Sequence, residues 1–203
     1  MAGRSRTGDR DFLVSHPEHW LGKAIELRRV GRYLYRTLLG DLVRYDQAVK
    51  RATSALDRPG RNVAAIRARQ PDPQPVYVLY GFALENLLKG LLIARDPSLI
   101  SDHRLSKDIT GHDLINLLTR ASVSFDAREA AVLHQTMDAT VWKAGYPLAK
   151  KLEHAAPLIG EPIPSLRAFR DRRGVLEAIF ARVEKLLRAH TKRMRPFGAV
   201  VRF

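Results

Sequence analysis

Apolar residues recur at helical spacing over most of this chain, and no alternating pattern of useful length indicates a β-strand. Ser15 followed by Pro17 and Glu18 is typical of a helix start. The first apolar stripe consists of Trp20, Ala24, Leu27, Gly31, Leu34, Leu38, Leu42, Tyr45, Val49 and Ala52. It predicts either one long helix or two helices with a break at Gly40.

A second helix is predicted from about Val76 to Arg95, closed by Asp96 and Pro97. This segment is apolar on nearly every side, which is typical of a helix in the centre of a core. Residues 57–75 before it are polar and end with three prolines in five positions. Because proline breaks a regular helix, we expect an internal linker there.

Two short helices and one long helix are predicted in the remainder. Thr110 is the predicted N-cap of the first short helix, with Asp113 three residues later. Asp126 is the predicted N-cap of the second short helix, which is expected to end before Pro147. The apolar face of the last helix consists of Val175, Leu176, Ile179, Phe180, Val183, Leu186 and Leu187. These elements predict an all-α bundle of about five or six helices over residues 15–190, with a basic arm at 1–14 and a basic tail at 191–203.

The net charge of +14 is unevenly distributed along the chain. Residues 1–70 carry 15 Lys/Arg against 7 Asp/Glu, and residues 167–203 carry 11 against 3, whereas residues 71–166 are slightly acidic. Arginine, which favours bidentate phosphate contacts, supplies 26 of the 35 basic residues. The distribution is consistent with three interpretations: a polyanion such as RNA as the ligand, an acidic protein partner, or a charged surface that serves only solubility.

Composition also excludes several classes of site. The chain has no cysteine, so disulfides, thiol nucleophiles and Cys-ligated zinc are excluded, and we expect a cytoplasmic protein. No run approaches 18 apolar residues, so we expect no membrane span. The sequence contains no glycine-rich nucleotide-binding loop and no recognised metal-ligand spacing, so we expect neither a cofactor nor a metal.

Three segments carry a resemblance to a known family. They are Glu85 with Lys89 on the apolar helix, the helix start Gly111-His112-Asp113-Leu114, and Trp142-Lys143-Ala144-Gly145-Tyr146-Pro147. Together they resemble a HEPN-type helical domain, a prokaryotic family of small bundles associated with RNA, defence and toxin–antitoxin systems. One subgroup usually reads Trp-x-Gly-Arg-Tyr-Pro, and the arginine of that pattern has no counterpart here. The resemblance implies a homodimer and a possible protein partner encoded in the same operon.

Glu85 and Lys89 stand in the favourable order for an i, i+4 ion pair. On so apolar a helix the pair is expected to be partly buried, with a structural or dimer-fixing role as one interpretation and a functional cleft as the other. His112 and Asp113 lie at a predicted helix start. They are expected either to cap that helix or to take part in a functional site.

Catalytic members of the family are metal-independent RNases marked by an Arg, four to six residues, and a His, and they act as paired bundles whose Arg and His line a shared cleft. Arg128 and His134 match that spacing, and Asp138 follows on the same helix. The Arg would hold the scissile phosphate while the His moves protons. However, the same spacing also joins Arg10 to His16, and chance alone produces it about this often.

Phosphate contacts are predicted at the two ends of the last helix. The predicted residues are Arg170, Arg172, Arg173, Arg188, Lys192, Arg193 and Arg195. The sequence thus predicts a HEPN-like protein without catalytic activity that binds RNA or a protein partner. A ribonuclease toxin using Arg128 and His134, and a purely structural interaction scaffold, are the alternatives.

Overall fold

The computed structural model describes residues 16–56, 71–101, 104–143 and 165–194, and these residues are mostly helical. Within them the α-helices are α1 (Pro17–Leu56), α2 (Gln74–Arg95), α3 (Leu114–Arg120), α4 (Ala127–Met137) and α5 (Leu166–Met194). The all-α prediction is confirmed at this level. The arm at 1–14, most of the linker, and residues 195–203 of the tail lie outside the described residues.

Helix α1 is continuous, so the predicted alternative of a break at Gly40 is wrong. A glycine inside a helix costs only about 1 kcal/mol, which the packing of the flanking turns offsets. Leu42, two residues after Gly40, is buried. Near its middle α1 comes close to α2, because a Cβ at Gly31 would lie 3.2 Å from the ring of Tyr80.

Helix α2 is the centre of the core, and it packs against α1, α3, α4 and α5. Tyr80, Leu84, Leu87, Leu88 and Leu91 are completely buried. By length and hydropathy α2 meets the requirement for a membrane span, and 78% of its most apolar window is buried inside the chain. Such burial is typical of the core helix of a bundle.

The connection between α2 and α3 differs from the prediction in two respects. It contains a two-stranded antiparallel ladder, β1 (Ile100–Ser101) and β2 (Arg104–Leu105), where an irregular segment was expected. The cap of α3 is Asp113, whose carboxylate accepts from the backbone N–H of Asn116, and not Thr110. Thr110 instead donates its hydroxyl to the carbonyl of Lys107.

Helix α4 begins at the predicted position with a complete capping box, in which Asp126 and Glu129 each accept from the other's backbone N–H. After Met137 the helix continues as a π-helix over Asp138–Lys143. Helix α5 buries the predicted face, with Leu186 only partly buried. It extends to Met194, so residues 191–194, expected in the tail, belong to the helix.

Candidate nucleic-acid interface

The two most basic helices of the described chain lie side by side, although they come from opposite ends of it. Helix α1 carries eight Lys/Arg against four Asp/Glu, and α5 carries nine against three. They run antiparallel, because Arg28 contacts Glu184 while Tyr35 stacks on Phe169. The fold therefore brings two basic segments that the sequence places far apart into contact.

Glu177 of α5 lies at the centre of this contact. Its carboxylate accepts hydrogen bonds from Arg28 at 2.7 and 2.9 Å, from Arg32 at 2.6 Å and from the hydroxyl of Tyr80 at 2.5 Å. Arg173, one turn earlier on α5, lies 3.6 Å away. One acid thereby joins α1, α2 and α5, and its charge-assisted hydrogen bonds are of the strong class.

These contacts shift the pKa values of both acidic groups. Burial by itself would raise the pKa of Glu177, but hydrogen bonds from Arg32, Tyr80 and Arg28 outweigh it and lower the pKa to about 2. Burial, together with the hydrogen bond to this carboxylate, raises the pKa of Tyr80 to about 12. At neutral pH the carboxylate is therefore ionised, and the neutral phenol donates to it.

A second acid, Glu184, lies seven residues, or about two helical turns, after Glu177 on the same side of α5. It accepts from Arg28 at 3.1 Å and from Arg188 at 2.7 Å. Arg28 also lies over the ring of Phe180, 4.2 Å from its centroid, which holds the guanidinium in place. The two glutamates therefore fix the orientation of the arginines without matching their number.

Three further guanidinium groups line the outer side of this contact. Arg29 and Arg36 lie three residues before and four residues after Arg32 on α1, hence on the same side of the helix, and both are exposed. Arg170 of α5 is exposed as well. We call the whole surface the basic seam. It comprises Arg28, Arg29, Arg32, Arg36, Arg170, Arg173 and Arg188, with Glu177 and Glu184.

Aromatic rings support the seam from below. The rings of Tyr35 and Phe169 stack at 4.8 Å, and the guanidinium of Arg173 lies 4.6 Å from the centroid of Tyr35. Tyr77 meets Phe169 edge-on. Because these rings are buried, the guanidinium groups above them have a rigid, apolar base.

The structure places the predicted phosphate-contact residues in different environments. Arg170 and Lys192 are exposed, whereas Arg173 and Arg188 are held by the acids of the seam. Arg172 is half-buried, with its guanidinium 6.0 Å from the ring centroid of Tyr77. The side chain of Arg193, and Arg195 altogether, lie outside the described part of the chain.

A separate polar cluster joins two of the family-like segments. Lys89 donates to Glu85 at 2.6 Å, and both side chains are buried. The second oxygen of Glu85 lies 2.9 Å from Nδ1 of His112, which is half exposed. The ion pair predicted from the i, i+4 spacing is thus present, and it anchors the segment before α3 to the core helix.

The candidate catalytic residues Arg128 and His134 are both exposed on α4. At a spacing of six residues they lie about 120° apart around the helix and about 9 Å apart along it. No side-chain hydrogen bond joins His134 to Asp138 in the described structure. The described chain does not bring Arg128 and His134 together.

Sequence reasoning missed the central residues of the seam, namely Arg28, Arg32, Tyr80 and Glu177. The only local signal was the i, i+4 repeat of the two arginines, because Glu177 lies about 145 residues further along. The side chains of the Trp142–Pro147 segment lie outside the part of the structure that is described. Comparison of the chain with protein-family models, with curated proteins and with solved structures gave no match.

Proposed function

We propose that this chain is a HEPN-like helical protein without catalytic activity, which binds RNA through the basic seam in a prokaryotic defence or toxin–antitoxin context. The observation that carries the proposal is the surplus of guanidinium groups where α1 and α5 meet. Seven arginines share that surface with two glutamates. The surplus creates a positive potential that attracts a phosphate backbone.

The internal ion pairs prepare the seam for this ligand. An arginine held by an acid keeps the rest of its planar donor fork in a fixed direction, so less conformational entropy is lost on binding. The side chains of Arg32 and Arg173 remain 42% and 35% exposed although both lie at Glu177. They can therefore approach a phosphate while the exposed Arg29, Arg36 and Arg170 contact its neighbours.

The cluster of Glu85, Lys89 and His112 supports the HEPN-like part of the proposal. These residues belong to two separate segments of the family pattern, and they contact one another in the fold. Arg128 and His134 lie exposed on one helix of the described chain, and the ribonuclease alternative would bring them together only in a cleft between two paired copies. The binding role is proposed on the basic seam.

The test is RNA binding measured by fluorescence anisotropy with a labelled oligonucleotide over a range of salt concentrations. The triple variant Arg29→Ala, Arg36→Ala and Arg170→Ala removes exposed charge and leaves the ion pairs of the seam intact. We expect weaker binding and a shallower salt dependence, by about 0.7 in the log–log slope for each lost contact to a single strand.

A second triple variant is the control: it removes the same number of positive charges at positions outside the seam. Arg51, Arg104 and Lys107 are exposed on other parts of the chain. Their replacement by Ala should change affinity far less than the seam variant does. RNA affinity that is independent of salt, or equal losses of affinity in both triple variants, would contradict the proposal. Binding of an acidic protein to the seam, without binding of RNA, would favour the scaffold alternative.

A further inference from the structure

The side chain of Tyr33 on α1 is largely exposed to solvent and does not pack into the core. Its relative exposure is 73%, and Val30 at 46% is the only other large apolar side chain of the described residues that is exposed. A tyrosine ring offers a large flat apolar surface, and at Tyr33 that surface is open to solvent. Its ring has no stacking or edge-on partner among the described residues.

Two free arginines lie on either side of this ring. Arg29 precedes Tyr33 by four residues and Arg36 follows it by three, so the three side chains form one stripe along α1. At 1.5 Å per residue they are separated by about 6 and about 4.5 Å along the helix axis. Neither arginine has an ion-pair partner in the described part of the chain.

The stripe is continuous with the basic seam. Tyr35 and Phe169 stack on each other across the seam, and Arg36 and Arg170 are the next residues on their respective helices. Arg29, Arg36 and Arg170 therefore lie on the seam side of Tyr33. No acid among the described residues forms an ion pair with any of the three. Positive charge beside an open aromatic face is the arrangement that single-stranded nucleic acid binds.

We infer that the ligand of the seam is single-stranded nucleic acid, with one base stacked on Tyr33 and the adjacent phosphates bound by Arg29 and Arg36. This inference rests on the proposed function and gives its ligand class. A duplex presents its phosphates but conceals the faces of its bases, so it can use the arginines and not the ring. A single strand uses both.

The experiment compares Tyr33→Leu with Tyr33→Phe in anisotropy titrations. The probes are a labelled oligoadenylate, the same length of abasic strand, and an oligoadenylate–oligouridylate duplex. We expect Tyr33→Leu to weaken oligoadenylate binding by about fivefold to 150-fold, the range for loss of one stacked base. Binding of the abasic strand and the duplex should not change, and Tyr33→Phe should bind oligoadenylate like the wild type.

The exposed neighbour Val30 provides the matched control, because Val30→Ala removes apolar surface on the same helix without removing a ring. It should leave oligoadenylate binding unchanged. Oligodeoxyadenylate is titrated in parallel, and the same dependence on Tyr33 is expected because stacking uses the face of the base, which RNA and DNA share.

The outcomes separate this inference from the proposed function. Loss of binding in the Arg29/Arg36/Arg170 variant, with Tyr33→Leu equal to wild type, overturns the inference and leaves RNA binding in place. Equal losses for all three probes in Tyr33→Leu also overturn it, since stacking cannot explain them. Absence of salt-dependent binding in the wild type overturns the proposed function itself.

Discussion

The guanidinium of Arg28 in α1 donates two hydrogen bonds to the carboxylate of Glu177 in α5, across 149 residues of sequence. This contact sets the register of the two basic helices, because Arg32 one turn later binds the same carboxylate. One acid thus counters the repulsion between several arginines and brings them to one surface. The residue that holds the fold together is also the one that assembles the proposed binding face.

Glu177→Gln should therefore destabilise the protein. The substitution keeps the shape of the side chain but removes the charge that Arg28, Arg32 and Tyr80 share. Loss of charged hydrogen bonds at a half-buried site costs about 2 kcal/mol or more, which lowers Tm by at least about 4 °C. Thermal unfolding followed by circular dichroism measures this. Glu26→Gln, in an exposed pair with Lys23, is the control and should change Tm by less than about 2 °C.

Acid should remove the same contribution. The pKa of Glu177 is lowered in the folded protein from 4.5 to about 2, so its stabilisation is complete above pH 4.5 and is lost as the pH falls toward 2. The difference in unfolding free energy between wild type and Glu177→Gln should accordingly shrink over this range. Urea titrations at pH 7, 4 and 2.5 measure the difference, and a constant value would contradict the assigned pKa.

Local parts of this structure could be predicted from the sequence. The pair of Glu85 and Lys89 and the capping box begun by Asp126 depend on residues three or four positions apart, so spacing alone identifies them. The contact of Arg28 with Glu177 depends on how whole helices pack, which no local spacing encodes. The continuity of α1 through Gly40 also depends on packing. Glycine lowers helix stability only slightly, and the sequence does not show whether packing of the flanking turns compensates for it.

The exposure of Tyr33 was equally hidden from the sequence. Tyr33 lies beside Leu34 and Tyr35 in an aromatic and apolar run, and such a run does not show which ring faces the core. In the fold Tyr35 packs on Phe169 and is buried, and this orientation of α1 leaves Tyr33 exposed.

The buried pair of Glu85 and Lys89 should show strong coupling in a double-mutant cycle. Lys89→Met leaves the Glu85 carboxylate buried with only His112 beside it, at a cost of about 3 kcal/mol. Glu85→Leu leaves a buried ammonium at a similar cost. The double variant should lose much less than the sum, since it buries no unpaired charge. Unfolding free energies from urea titration give the coupling.

A matched exposed pair makes this cycle interpretable. Asp46 and Lys50 have the same spacing and order on α1, with a distance of 2.7 Å and side chains 44% and 74% exposed. Their coupling should stay below about 1 kcal/mol. Equal coupling in the two cycles would show that burial does not strengthen the pair of Glu85 and Lys89.

Gly90 should be essential to the packing of α1 on α2. A Cβ at this position would lie 2.7 Å from Cβ of Trp20, an atom that cannot move without its backbone. Gly90→Ala should therefore cost about 1–3 kcal/mol. Gly174→Ala on α5 has the opposite expectation, because nothing lies within 4 Å and alanine favours the helix by about 0.5–1 kcal/mol. Thermal unfolding measures both variants: Tm should fall for Gly90→Ala and rise for Gly174→Ala.

RNA should remain intact when incubated with the purified protein in EDTA. Metal-independent cleavage needs a base and a phosphate-binding cation at one reacting centre. Under the ribonuclease alternative Arg128 and His134, both exposed on α4, would form that centre between two paired copies, so the full purified chain is the sample. Gel analysis of a labelled RNA over several hours gives the result, with Arg128→Ala and His134→Ala as companion variants. Cleavage by the wild type that either substitution abolishes would replace the binding role with the ribonuclease alternative. Cleavage that survives both substitutions would exclude Arg128 and His134 as the catalytic pair.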